Sequence, residues 1–446
     1  MADHNIIIGV GGTGSKIIEA VVHLAASGNM PPTLYPVLID QDTLNGNVEQ
    51  CRESINSYNI IYEKSKKIKG LKIFNTNIDM EKIPEGLIPL VPTRNQKFSA
   101  SIKYPLMSSD EKKVIEALYN RHQLEDDLKD GFKKRAHMGS AIISQMLEGN
   151  QDLTRLNERT RSLSPDIYIF GSIFGGTGAS GLTIIGKYFK DNWPNSNVYG
   201  IVIMPYFKIS DLADLENRPI SEIVNSNSDM LLVKVALEIF YQNNNDSFNK
   251  VFFIGSDIAN LEKDAPTKYP VSGGREQKNP AHIFELIAGS VISHSSRINN
   301  KYNFYIEDLE IRDIPIEGGT FQRKSKIFDI DSLPDTLDKQ KIKYTREFSR
   351  MVAQCSRNKN SWKKRQPWLF FNSEYNYLRH WAERHDQWWQ EMAADCWTTF
   401  RFDNKRVIDQ YQMSSLISRH LEHSSARSIG DIIFALDSLI KWEKEA

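Results

Sequence analysis

The chain has 446 residues, 40% of them hydrophobic, enough for two domains or for one large α/β domain with an attached module. Its 56 basic and 56 acidic side chains cancel, which excludes a global field that would draw in nucleic acid or an anionic membrane. Cys51, Cys355 and Cys396 are odd in number and widely spaced, so they set up neither a disulfide framework nor a metal site and fit a reducing compartment. With no basic-then-apolar leader and no apolar run long enough to cross a bilayer, the expectation is a soluble cytoplasmic protein.

A strand opens the chain, Asn5-Ile-Ile-Ile, and runs into Gly9-Val10-Gly11-Gly12-Thr13-Gly14. The helix predicted over 15–26 carries Ile17, Ile18, Val21, Val22 and Leu24, a wide apolar face for packing on a sheet. Met30-Pro31-Pro32 breaks that pattern, and 35–40 is almost wholly apolar, as suits a central parallel strand covered on both faces. Residues 43–130 read as a polar, irregular insertion with helices near 109–119 and 125–133. Gly131 to Gly139 is a basic loop leading into a helix. A strand over 167–170 then meets a second glycine run, Gly175-Gly176-Thr177-Gly178-Ala179-Ser180-Gly181, followed by a helix from Leu182.

Beyond it the pattern predicts a strand over 198–204, a helix over 220–241 stopped by Asn243-Asn244-Asn245-Asp246, and a strand over 251–257. Asn279 and Pro280 read as the cap and first residue of the next helix. After the strand at 302–306 the composition shifts: seven of the eight tryptophans lie past position 360. Leu378, Trp381, His385, Trp388, Met392 and Cys396 recur at spacings of three or four, a helical stripe read as core packing ahead of a partner surface. Residues 431–442 form a terminal amphipathic pattern.

The two glycine runs carry the chemistry. Each lies between a strand and a helix, where glycine allows close backbone approach and the helix start aims its N–H groups at an anion, most naturally a phosphate. Thr177 and Ser180 add hydroxyl donors. Taken alone, Gly9, Gly11 and Gly14 also spell the G-x-G-x-x-G dinucleotide fingerprint. Asp40, a ribose partner in that reading, lies 26 residues past Gly14, against about 20 in that motif.

Two such runs, one at the N-terminus and one after a later strand, resemble the tubulin/FtsZ superfamily, whose loops read G-x-G-G-x-G and G-G-G-T-G-[ST]-G. Gly9 to Gly14 match the first. Gly175, Gly176, Thr177 and Gly178 match the second, with Phe174 in place of its first glycine and Ala-Ser-Gly as its tail. The resemblance runs through residues 5–300 in order of elements and is greatest toward divergent bacterial tubulin-like proteins. It implies an α/β fold: a tubulin-like nucleotide-binding domain (1–300, with the insertion at 43–130) whose mainly parallel sheet is covered by helices, plus a Trp-rich, mainly helical C-terminal module (301–446).

The resemblance also implies the site. GTP or GDP, with accompanying Mg2+, would meet Gly11, Gly12, Thr13, Ser15, Asp40, Arg135, Gly139, Gly175, Gly176, Thr177, Gly178 and Ser180. Asp257 would lie at the nucleoside, and Asn279, His282 and Phe284 at the base. His137 is an alternative to Arg135. The family's N-x-D-x-x-D loop, which acts from the neighbouring subunit, is replaced here by Glu307, Asp308 and Glu310 in a different spacing, so binding carries over more directly than hydrolysis. Self-association in a homo-oligomer or polymer is implied, with other proteins reached through the C-terminal module. The alternatives are a Rossmann-type dinucleotide- or ATP-binding enzyme and a catalytically inert scaffold.

Overall fold

Strands that are apolar on both sides need a cover of helices on each face. The computed structural model describes residues 2–66, 74–80, 87–89, 97–128, 131–132, 135–205, 226–255, 275, 277–306, 311–313, 324–329, 333–357, 373–394 and 398–401. Strands β1 (His4–Val10), β2 (Thr33–Asp40), β3 (Asn77–Ile78), β4 (Leu87–Pro89), β5 (Asp166–Ser172), β6 (Val198–Ile203), β7 (Lys250–Gly255) and β8 (Tyr302–Ile306) form one eight-stranded sheet. Its order is β3-β2-β1-β5-β6-β7-β8, with β4 also paired to β2, and every pairing is parallel. The expected α/β architecture with a parallel sheet is therefore present.

Helices α1 (Gly11–Ala26) and α2 (Gly46–Lys66) follow β1 and β2, and the short α3 (Phe98–Ser101), α4 (Ser109–Leu118) and α5 (Arg121–Glu125) lead to α6 (Ala136–Leu147) and α7 (Gln151–Thr160). Helix α8 (Gly176–Asn192) joins β5 to β6, α9 (Ser226–Asn243) precedes β7, α10 (Ile283–Ser290) precedes β8, and α11 (Lys339–Arg357) and α12 (Ser373–Ala394) come last. Strand alternation divides the core in two. Ile7, Leu38, Tyr168, Phe170, Ile201 and Phe252 pack under α1, α2, α10 and α12. Ile8, Val37, Ile169, Val202 and Val251 pack under α6, α7, α8 and α9. Among the described residues no helix is long and apolar enough to cross a membrane.

Several elements differ from the sequence-based expectation. The stretch after Asp40 is not irregular: α2 buries Val48, Cys51, Ile55, Tyr58 and Ile61, a stripe at spacings of three and four set among polar neighbours. The helix expected over 125–133 is absent from the described part of that span, because the capping box of Asn120 and Gln123 starts α5 early and Asp126 is already extended. Helix α10 begins at Ile283 rather than at Pro280; His282 is its cap, with Nδ1 accepting from the Phe284 N–H and Glu285 reaching back to the His282 N–H. The glycine runs form the first turns of α1 and α8, so both helices start earlier than predicted. The region after 301 also contributes β8 to the main sheet and holds a small sheet in which β10 (Lys324–Asp329) pairs with β9 (Ile311–Asp313) and β11 (Thr398–Arg401). Asp257, Glu307, Asp308, Glu310, Cys396 and the pattern at 431–442 lie outside the described residues.

The tryptophan stripe is core. Leu378, Trp381, His385, Trp388 and Met392 of α12 are buried in the same cluster as α1 and α2. Trp381 lies against Phe74 at 5.2 Å between ring centroids and Trp388 against His23 at 4.6 Å. The Trp389 indole donates to His385 Nε2, so the His385 proton sits on Nδ1 and is donated to His23 Nδ1 at 2.8 Å. Burial pushes both imidazoles below their usual range, which keeps the pair neutral.

Ending the chain after residue 360 removes α12 and uncovers this apolar face, so the fragment is expected to aggregate, as light scattering would show. Trp388→Ala in the full chain should lower the unfolding free energy by about 3–5 kcal/mol in urea titrations. A soluble, monodisperse 1–360 fragment would contradict the packing described.

Candidate functional site

The strand order turns around between β1 and β5, and in an open parallel sheet this reversal leaves a crevice beyond the C-terminal strand ends. Both glycine runs sit there. Gly11 takes φ +72°, and a Cβ placed on it would stand 3.3 Å from Thr177 Cβ and 3.5 Å from the Gly178 nitrogen, so the two turns touch. Val10, the cap residue of α1, and Gly175, that of α8, supply no side-chain hydrogen bond to the first N–H groups of their helices. Gly12, Thr13, Gly175 and Gly176 are half-buried at the crevice surface, while Gly11, Thr177 and Gly178 are buried beneath it. Two uncapped helix starts thus direct their N–H groups toward one place.

A polar relay crosses the crevice. Thr177 Oγ1 donates to Asp40 Oδ1 at 3.0 Å, and Asn45 Nδ2 donates to Asp40 Oδ2 at 3.2 Å. Asn45 Oδ1 accepts from the Asn47 N–H at 3.0 Å, and Asn47 Oδ1 accepts from the Asn279 N–H at 3.0 Å. The relay joins the second glycine turn, the end of β2, the start of α2 and the segment before α10. That segment lies close over Gly46, where a Cβ would stand 2.5 Å from the Arg275 carbonyl oxygen. Its Gln277 side chain reaches Gly12, where a Cβ would meet Gln277 Nε2 at 3.3 Å and Asn45 Nδ2 at 2.9 Å.

Asp40 is the electrostatic centre of this arrangement. Burial, and then the Asp42 carboxylate beside it, push its carboxyl up to about 7 against the pull of the Thr177 hydroxyl. The other expected site residues are placed as follows. Ser15 is buried and its hydroxyl donates to the Gly11 carbonyl at 3.1 Å. Ser180 turns its hydroxyl to the Gly176 carbonyl, and its backbone carbonyl accepts from Ser140 at 3.0 Å. Gly139 lies at the crossing of α6 and α8, where a Cβ would collide with Ser180. Arg135 pairs with Asp126, and His137 stacks on Tyr119 at 5.5 Å. Phe284 is buried with its ring 4.7 Å from the His282 ring. The structure thus gathers Gly11, Gly12, Thr13, Asp40, Gly175, Gly176, Thr177, Gly178 and Asn279 at one crevice, and turns Ser15, Ser180, Gly139 and Arg135 toward packing or ion-pair partners.

Asn45, Asn47 and Gln277 join the crevice without having been singled out from the sequence. The signal for the first two was an Asx-rich turn, Asn45-Gly46-Asn47, directly after a strand end and before a helix.

No family model and no curated protein matches the chain. Among solved structures it is similar to CetZ from Methanosaeta thermophila strain DSM 6194, with 13% identity over 57% of this chain and 46% of that one and a TM-score of 0.25. The match spans less than half the length of that protein.

The raised Asp40 carboxyl has a definite sign in stability. The folded protein holds a proton that the unfolded chain has released, so stability falls as pH rises from the ordinary carboxylate value of 3.8 to about 7. Asp40→Asn should therefore be more stable than the parent chain at about pH 8, with the advantage vanishing near pH 4. Urea midpoints measured across that range would show it; two curves that stay parallel would show that Asp40 does not titrate as described.

Proposed function

We propose that the chain is a guanine-nucleotide-binding, tubulin-like protein that self-associates and changes with nucleotide state, with a weak GTPase activity that depends on a neighbouring subunit. The observation that carries the reading is the contact between two uncapped glycine turns on adjacent parallel strands at the reversal of strand order. One phosphate chain would engage both: the N–H groups of Gly11, Gly12 and Thr13 from α1, and those of Gly176, Thr177 and Gly178 from α8. The residues fit such a ligand, because both turns are glycine where a side chain would fill the crevice and neither cap residue supplies a side-chain hydrogen bond to its helix start, while the Asn45 and Gln277 amides stand beside Gly12. Asn45, Asn47, Gln277 and Asn279 offer the amide donors and acceptors that a purine edge and ribose need.

Mg2+ would come with the nucleotide, since that ion takes most of its ligands from phosphate oxygens and water. Asp257 remains assigned to the nucleoside. His282 and Phe284, the expected base contacts, hold the start of α10 in its place beside them. Glu307, Asp308 and Glu310 are assigned to water activation in a neighbouring subunit. Losing a well-placed group for that step leaves binding intact and slows chemistry. The C-terminal region offers the surface for any other protein partner.

A second reading has its own support. Gly9 and Gly14 meet backbone to backbone, with a Cβ on Gly9 2.8 Å from the Gly14 carbonyl, the close helix-to-strand packing of dinucleotide folds. In that fold, however, the acid at the end of the second strand is open to a ribose, whereas Asp40 here is buried and already accepts from Thr177 and Asn45.

Purified protein should bind GTP and GDP and ignore NAD, measured by calorimetry. Gly12→Val and Gly176→Val should each abolish binding while the circular dichroism spectrum is kept. If Gly176→Val binds normally and Gly12→Val does not, the shared crevice is wrong and the dinucleotide reading gains. Hydrolysis per molecule should rise with protein concentration in step with light scattering. A rate constant over a wide dilution series would rule out catalysis between subunits.

A further inference from the structure

One peptide unit in front of the crevice is held at both ends by charges from distant parts of the chain. The Pro280 carbonyl accepts from Lys16 Nζ of α1 at 2.6 Å. The N–H of the same peptide, on Ala281, donates to Glu391 Oε2 of α12 at 2.9 Å. A cation faces the oxygen and an anion faces the N–H, so the peptide dipole is matched in one orientation and opposed in the flipped one. Neither charge is loose. Lys16 is buried and also pairs with the buried Glu285 of α10. Glu391 Oε1 accepts from Arg384 Nη1 at 2.9 Å and from Gln387 Nε2 at 2.8 Å.

Arg384 extends the connection. Its Nε donates at 2.8 Å to Glu19 Oε1, and Glu19 belongs to the helix that starts in the first glycine turn. Glu19 is fully buried and also accepts from Ser54 of α2 at 2.7 Å. Burial acts to raise its carboxyl, and Arg384, with His23, overrides this and holds it well below the usual carboxylate range. The chain of charges therefore runs from α1 through α12 to the peptide at 280–281 without a break.

What this peptide holds is the crevice wall. Immediately before it, the Asn279 N–H is tied to Asn47, the Gln277 side chain stands over Gly12, and the backbone at 275 and 277 lies on Gly46. We infer that Glu391, with Lys16 opposite it, is a positioning residue for the nucleotide site: it orients the Pro280–Ala281 peptide and so sets Gln277 and Asn279 against the first glycine turn. The C-terminal helix thus supplies part of the frame of a site formed by the N-terminal half of the chain. This rests on the nucleotide reading for its ligand, and on the geometry alone for the brace.

Three full-length variants test it. Glu391→Ala removes the acceptor of the Ala281 N–H; Glu391→Gln keeps an oxygen for it; Leu378→Ala, on the same helix and buried elsewhere in the core, lowers stability without touching the segment. Hydrogen exchange of the peptide spanning 277–283, without nucleotide, should speed up about tenfold or more in Glu391→Ala, and stay near the parent in Glu391→Gln and Leu378→Ala. Affinity for a fluorescent GDP analogue should fall about tenfold in Glu391→Ala, recover most of the loss in Glu391→Gln, and be unchanged in Leu378→Ala. Unchanged exchange in Glu391→Ala overturns the brace whatever the ligand. So does an equal loss of GDP affinity in Leu378→Ala at a matched melting temperature, which would make the effect one of general stability. A parent chain that binds no nucleotide while exchange responds as expected overturns the function proposed above and leaves the brace standing.

Discussion

Helix α1 is covered on every side and yet carries Lys16, Glu19 and His23 among its fourteen buried residues. An ionised side chain removed from water has to find a charge or several hydrogen bonds, or the cost is several kcal/mol per ion. That requirement organises the surroundings. Lys16 is answered by Glu285 and the Pro280 carbonyl and Glu19 by Arg384, Ser54 and Gln50, while the neutral but polar His23 accepts a hydrogen bond from His385. Through these pairs the polar stripe of one helix determines where α2, α10 and α12 come to rest. A wholly apolar α1 would bury as much surface without specifying which helix lies against which turn of it.

The crevice combines two kinds of constraint. The backbone part is steric: adjacent parallel strands deliver two helices whose first turns are glycine, and the turns approach to contact distance. The side-chain part is a chain of single hydrogen bonds from Thr177 through Asp40, Asn45 and Asn47 to Asn279. Asp40 lies in the middle, close enough to neutrality near pH 7 that a change of charge nearby shifts its proton. An anion arriving at the helix starts would favour the protonated form by simple repulsion. The second glycine turn is thus linked through a titratable group to the wall on the far side.

The sheet was legible because its strands are short, almost continuous apolar runs, and the two turns because glycine clusters mark them. The stripe on α12 showed through its tryptophans. Helix α2 was hidden because Cys51 and Tyr58 complete its stripe among asparagines and serines that lower the local hydropathy. The start of α10 was misplaced for a different reason. Asn279-Pro280 is a good local start, but its N–H is claimed by Asn47, 232 residues away, and the next carbonyl by Lys16, 264 residues away. Local preference worth about 1 kcal/mol yields to such contacts. Gln277, which stands beside Gly12 across the chain, is of this kind, and no local pattern announces it.

The Glu19–Arg384 pair spans 365 residues and the His23–His385 pair 362. A ribosome adding about 5–20 residues per second makes the second member of each pair roughly 20–70 s after the first. Throughout that interval Glu19 and His23 lack the α12 side chains they meet in the finished fold, so the packing around α1 is incomplete while the chain is still being made. Long-range closure of this sort slows folding and leaves apolar surface uncovered in the meantime. The apolar faces of α1 and α2 therefore stay uncovered on one side until α12 emerges.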